Sequence, residues 1–217
     1  MQIISSTCKV IKGIDGVNEE LKKDYDMVVL DYNLNNQFEE LSAGVLKLKE
    51  KTPELLKIAK TCVQSIRQGN KVIFCGNGGS AAQSQHLAAE LVGRYKMERS
   101  AMNAVSLTTD TSNITAIGND YGYDVIFSRQ LEGIGKKGDI LIGLSTSGNS
   151  KNVVLAFEQA KKMGIQTVAF VGNKGGKMQN FADYTLAVPA ETSAHIQEMH
   201  ITLGHLLCDL IEREIHA

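Results

Sequence analysis

Lys71-Val-Ile-Phe-Cys-Gly-Asn-Gly-Gly-Ser80 and Asp139-Ile-Leu-Ile-Gly-Leu-Ser-Thr-Ser-Gly-Asn-Ser150 follow one plan. Each opens with a short apolar run and ends in small, hydrogen-bonding residues ahead of a helical pattern. That order predicts a buried strand, a tight loop and a helix N-terminus, twice. Such a loop aims backbone N–H groups and hydroxyls at an anion, and the helix dipole adds partial positive charge. Two such loops in one domain point to a small phosphorylated molecule held in a crevice.

Outward from these loops the chain alternates strand and helix. Val72–Cys75, Ala104–Leu107, Ile140–Leu144, Thr167–Val171 and Tyr184–Val188 read as strands. They are rich in Val, Ile and Leu with little alternation, as expected when helices cover both faces of a parallel sheet. Helical patterns follow at 81–92, 111–118, 125–131 and 150–163, with a last helix over about 192–214. Upstream, Leu41, Val45, Leu48, Leu55, Ile58, Ala59 and Val63 recur as one apolar helix face. Thr52-Pro53 marks a break or a new helix start, and Gln68-Gly69-Asn70 a stop. The fold class expected is α/β, a doubly wound five-stranded parallel sheet flanked by helices.

Residues 1–34 fall outside this pattern. Met1–Ile4 and Met27–Leu30 are short apolar runs there, open to a small hairpin, added edge strands or an arm on a neighbouring subunit. The organisation expected is an N-terminal extension over 1–34 and one domain over 35–217.

A chain of 217 residues suffices for one large domain with a substantial core. The net charge of -1 argues against a broad nucleic-acid footprint. Cys8, Cys62, Cys75 and Cys208 lack metal-type spacing and fit reduced thiols better than a disulfide framework. No apolar run approaches the roughly 20 residues that span a bilayer. The N-terminus lacks a basic region followed by an apolar signal core. A cytoplasmic protein with no membrane partner is expected.

Gly76-Asn77-Gly78-Gly79-Ser80-Ala81 formally matches the dinucleotide fingerprint G-x-G-x-x-A. Asp110 lies farther on than the usual ~20 residues to the ribose-binding acid. The bland alternative is a strand-to-helix turn that needs glycines. Ser145-Thr146-Ser147-Gly148-Asn149-Ser150 is more specific, because an N-cap needs one hydroxyl and this loop carries four. A cradle of the Ser145, Ser147 and Ser150 hydroxyls with backbone N–H groups is the sharper reading.

His86 and Glu90 are spaced i,i+4, so they share a helix face and could chelate a divalent metal or form a surface pair. Gln197 and His205 lie about two turns and roughly 80° apart on the last helix. His200, about 140° around from His205, does not share its site. His195 and His216 read as surface residues, and Cys75 as packing.

Taken together these residues resemble the sugar isomerase (SIS) family of phosphosugar-binding domains, and within it the bacterial phosphoheptose isomerases. The resemblance rests on Cys75–Ser80, His86–Leu91, Gly93–Tyr95, Gly118–Gly122, Phe127–Arg129, Ser145–Ser150, Gly175–Met178, Ile196–His200 and His205. It covers about residues 36–215. What it implies is a flavodoxin-like three-layer sandwich, with one Zn2+ per subunit among His86, Glu90, Gln197 and His205. It further implies conversion of sedoheptulose 7-phosphate to D-glycero-D-manno-heptose 7-phosphate through an enediol(ate), for lipopolysaccharide or capsule. Glu90 and His205 would be the acid–base pair. We give Glu90 the carbon-bound proton and His205 the oxygen or ring-opening step, the reverse remaining open.

The same resemblance puts Ser145, Thr146, Ser147 and Ser150 at the phosphate and Asn77, Gly78, Gly79, Ser80 and Gln197 at the substrate. Asn119 and Asp120 would bond sugar hydroxyls, and Arg94 would orient substrate or bridge subunits. Family members are tetramers with sites at subunit interfaces, so a homotetramer is expected. Ala194 stands where the family often carries an acid, which bears on substrate specificity. A non-catalytic SIS protein, binding phosphosugar or associating with a replication initiator, is the alternative. Retention of all four metal-site positions argues against it.

Overall fold

Strands that are apolar on both sides must be covered on both sides, and they are. In the computed structural model, β3 (Val72–Gly76), β4 (Ala104–Ser106), β5 (Ile140–Ser145), β6 (Gln166–Val171) and β7 (Tyr184–Ala187) form one sheet. Its order is β4-β3-β5-β6-β7 and every pair is parallel. The register sets Phe74 beside Ile142 and Ile142 beside Val168. The structure describes residues 8–11, 27–30 and 34–216.

The helices are α1 (Leu34–Lys47), α2 (Thr52–Arg67), α3 (Gly79–Val92), α4 (Thr111–Tyr121), α5 (Ile126–Ile134), α6 (Lys151–Met163) and α7 (Ser193–His216). One 3-10 turn, Leu48–Lys51, separates α1 from α2, and Pro53 sits in the first turn of α2. The expected break is therefore at Thr52-Pro53, where a missing N–H costs nothing. Helices α2, α3 and α7 pack together on one side of the sheet, and α5 packs with α6 on the other. Ile73, Cys75, Leu141 and Ala169 meet Phe127, Leu131, Val153 and Phe157 in the second of these cores.

The chain divides into two compact units, residues 1–42 and 43–217. In the first, β1 (Cys8–Ile11) pairs with β2 (Met27–Leu30) in parallel, as a two-stranded sheet of its own. The apolar run Met27–Leu30 is thus a strand, and its partner is Cys8–Ile11. A parallel pair needs a dozen or more residues between its strands, which 12–26 supply. Met1–Ile4 lie outside the described residues.

Candidate active site

The strand order fixes where a ligand can enter. From β3 the chain crosses through α3 to β4, on one side of β3. The next strand, β5, lies on the other side of β3. The connections after β3 and β5 thus part to opposite faces of the sheet. They leave a crevice at the carboxyl ends of these two strands, where open α/β sheets bind ligands. Both quoted loops end there.

The helices that start at this crevice lack side-chain caps. Gly78, with φ 56°, is the N-cap of α3, and no side chain caps that end. Ser150 is the N-cap of α6, yet its hydroxyl makes no cap bond; it pairs instead with Ser145 Oγ at 2.9 Å. By contrast, Asp110 caps α4 by accepting the Asn113 N–H at 2.9 Å. The hydroxyls of the serine loop therefore do more than end a helix. Ser147 Oγ accepts the Asn149 N–H at 3.1 Å, which folds the loop on itself.

Gly148 has φ 63°, and a Cβ there would collide with the carbonyl of Gly175. Only glycine permits that approach of two backbones. Met178 N–H then bonds Gly148 O at 2.9 Å and Lys177 N–H bonds Asn149 Oδ1 at 3.0 Å. Thr146 Oγ1 lies 3.4 Å from Ser193 Oγ, at the start of α7. A cavity of about 260 Å3 opens here, lined by Thr146, Ser147, Asn149, Lys174, Glu191 and Ser193 among others.

The glycine loop and the serine loop are tied by a pair the sequence did not reveal. Asn77 Nδ2 donates to Asn152 Oδ1 at 2.8 Å, and Asn152 Nδ2 donates back to Asn77 Oδ1 at 2.9 Å. Tyr123 Oη donates to the same Asn77 oxygen at 2.9 Å. Asn152 is buried in the first turn of α6. The Asn77 amide, expected at the sugar, is thus engaged between the loops. Ser80 is buried, with its N–H on Asn77 O at 3.0 Å.

Helices α3 and α7 run side by side in the same direction. Gln197 stands at Gly79, where a Cβ would lie 2.6 Å from its Oε1. Gln83 Nε2 bonds the Gln197 carbonyl at 2.6 Å. Farther along, Leu87 fills the space that a side chain on Gly204 would need. This close approach brings His205 to His86.

Three donors converge at that point. His86 Nε2 is 2.9 Å from His205 Nε2 and 3.1 Å from Glu90 Oε1. The donor atoms of His86, Glu90 and His205 all lie within 4.8 Å of one another. Neutral imidazoles offer this cluster few protons for several lone pairs, and a divalent cation would engage all of them at once. Two imidazoles and a carboxylate suit such an ion by donor type. Burial, then the neighbouring His86, holds the His205 pKa below the usual imidazole value, against the pull of Glu90. Neutral imidazole is the form that ligates. The structure gathers His86, Glu90 and His205, whereas it leaves the Gln197 amide at Gly79.

Other expected residues stand apart. Asn119 Nδ2 bonds Asp120 Oδ1 at 2.8 Å, both exposed at the end of α4. Arg94 is exposed and 3.9 Å from Glu98. His200 is wholly buried, edge-on to Phe170. His195 is buried too, which corrects its reading as a surface residue. It lies one turn from Met199, whose Cε occupies the space a Cβ on Gly44 would take. Cys75 is buried and its thiol is pushed up to about 12 by burial, consistent with packing.

The SIS domain model matches residues 37–172 of this chain. The phosphoheptose isomerase of Akkermansia muciniphila is 55% identical over 184 residues, which is 85% of this chain and 97% of that protein. That of Sulfurimonas denitrificans is 52% identical over 202 residues, covering 92% and 95% of the two. The chain belongs to the SIS family, on its phosphoheptose isomerase branch. The solved phosphoheptose isomerase of Francisella tularensis superposes with a TM-score of 0.80 at 36% identity, covering 83% of this chain and 96% of that one. That of Neisseria gonorrhoeae gives 0.78 at 40% identity, covering 83% and 97%. The parallel sheet and its crevice are therefore the fold of this branch. Among the described residues no helix is long and apolar enough to cross a membrane.

Proposed function

We propose that this chain isomerises sedoheptulose 7-phosphate to D-glycero-D-manno-heptose 7-phosphate, an aldose–ketose exchange through an enediol(ate). The observation that carries the reading is the convergence of His86 and Glu90 on α3, which begins at the uncapped glycine loop, with His205 on α7. Helix α7 passes Ser193 at the serine loop, Gln197 at the glycine loop and His205 at the cluster. A phosphate at one end and a carbonyl at the other is the layout such a substrate needs.

In this reading the phosphate is held by Ser145, Thr146, Ser147 and Ser150 and by the N–H groups at the start of α6. Ser80 and the backbone of Asn77, Gly78 and Gly79 border the sugar. Gln197 serves the sugar or a fourth metal position. Asn119 and Asp120 are assigned to sugar hydroxyls, and Arg94 to orienting substrate or bridging subunits. Glu90 removes the proton from the carbon beside the carbonyl, and His205 passes a proton between the oxygens. We assign zinc to His86, Glu90 and His205. When bound it supplies Lewis-acid polarisation of the substrate oxygens. Three protein donors leave room for those oxygens, as a catalytic site requires.

The isomerase domain is taken as residues 35–217, acting as a cytoplasmic homotetramer with sites at subunit interfaces. Its product would feed heptose to lipopolysaccharide or capsule. The test is incubation with a panel of ketose phosphates, following aldose formation by NMR with and without chelator. Conversion of the heptulose phosphate, lost with chelator and restored by zinc, is the expected result. A protein that converts none of the panel when loaded with metal refutes it.

A further inference from the structure

The loop after α3, residues 93–100, is built around a buried ion pair. Arg99 Nε is 2.9 Å from Glu212 Oε1, and both side chains are 1% exposed. Both partners also bond the surrounding backbone. Arg99 Nη2 bonds Glu90 O at 2.8 Å, and Nη1 bonds Leu91 O at 2.9 Å, Gly93 O at 3.0 Å and Ser100 O at 3.1 Å. Glu212 accepts the N–H groups of Tyr95, Lys96 and Met97 at 3.0, 2.8 and 3.0 Å. Burial alone would raise the Glu212 pKa, but these N–H groups and Arg99 hold it below the usual carboxylate value. The pair thus fastens the end of α3, which carries Glu90, and the loop, which carries Tyr95, to α7, which carries His205.

Its consequence is the placement of one ring. Tyr95 lies nearly parallel to the His205 imidazole, with centroids 5.8 Å apart and planes at 23°. Lys96 Nζ sits 5.0 Å from the Tyr95 centroid and 3.3 Å from Asp209 Oδ1, securing the loop to α7 again. A metal-binding or proton-transferring histidine is ordinarily oriented by a hydrogen bond to its other nitrogen. Among the described residues, His205 Nδ1 makes no such bond, while Nε2 faces His86. The imidazole χ2 torsion is intrinsically broad, so the single Nε2 contact with His86 leaves the ring plane to be set by a second contact.

We propose that Tyr95, presented by the Arg99–Glu212 pair, is the positioning residue that holds the His205 ring in register with His86 and Glu90. It works by stacking, in place of a hydrogen bond at Nδ1. The proposal rests on the role given to His205 above.

The experiment compares full-length wild type with Tyr95→Leu and Tyr95→Phe. It reads zinc affinity by calorimetry, kcat and KM on sedoheptulose 7-phosphate, thermal midpoint, and 13C relaxation of the His205 ring in metal-free protein. Tyr95→Leu should weaken zinc binding and lower kcat by about tenfold or more, with KM and thermal midpoint unchanged and faster ring motion. Tyr95→Phe keeps the plane and should match wild type in all four. Wild-type values for Tyr95→Leu in zinc affinity, kcat and ring motion would overturn the proposal. Equal losses in both variants would also overturn it, by assigning the effect to the hydroxyl. The relaxation measurement needs no turnover: a wild type that isomerises nothing fails the functional reading alone, while an unchanged His205 ring in Tyr95→Leu fails the positioning role alone.

Discussion

The serine loop and the histidine–carboxylate cluster are opposite ways of building a site. The loop is contiguous, Ser145 to Ser150, and its donors are backbone N–H groups and neutral hydroxyls. The cluster is assembled from two helices, with His86 and His205 separated by 119 positions. A contiguous loop distributes its work over many weak donors. An assembled cluster concentrates it in three side chains and depends on whatever holds the two helices in register. Single substitutions should therefore be graded in the loop and severe in the cluster.

The sharpest test removes cluster donors. Glu90→Gln and His205→Ala should each lower kcat by about 10²- to 10⁴-fold, the span of a lost acid–base group. Circular dichroism and thermal midpoint should stay near wild type, since both residues are partly exposed. Near-normal turnover in both would erase the contrast.

The register of the helices comes next. Glu212→Ala leaves Arg99 buried without its partner and three N–H groups without an acceptor. A loss of about 3–5 kcal/mol in unfolding free energy is expected, read from urea denaturation. A change under 1 kcal/mol would show that the cluster needs no such support.

A third measurement separates the packing of α7 from its chemistry. His200 is buried against Phe170, and among the described residues no well-aligned hydrogen bond reaches either ring nitrogen. Burial pushes it from 6.5 down to about 4, the backbone of Val171 offsetting this only in part. The unfolded chain therefore binds the proton first. Stability should fall as pH drops from 6.5 towards 4, by about 2 kcal/mol at pH 5. His200→Leu should remove that component of the acid sensitivity. Identical pH profiles for variant and wild type would rule it out.

The smallest effect belongs to the loop. Ser147→Ala should raise KM about tenfold, as one bond to a charged group is lost, with kcat nearly kept. A 1000-fold loss would mean that the loop, too, concentrates its work in one side chain.

Several features were legible in the sequence because they are local. Apolar runs without alternation specify buried parallel strands, and all five strands expected over 72–188 are present. The two loops announce themselves by contiguous composition, and the i,i+4 spacing of His86 and Glu90 puts them on one face. The resemblance of the motifs to the SIS family added His205 and Gln197. Other features were not legible. Asn152 looks like any residue in a helix's first turn until Asn77 is seen bonded to it. Arg99 and Glu212 carry no local mark, because an ion pair between positions 113 apart has no spacing to read. His195 was misjudged because burial at a helix start depends on what covers it.

The sequence by itself determined the alternation of strand and helix, the crevice loops and the family, all of which follow from neighbouring residues and their periodicity. Only the tertiary structure decided that the His205 imidazole meets His86 and lies nearly parallel to the Tyr95 ring, and that the Asn77 amide is bonded to Asn152. Those contacts join segments far apart in the chain. Their geometry is fixed by how α3 and α7 pack, which no local pattern encodes.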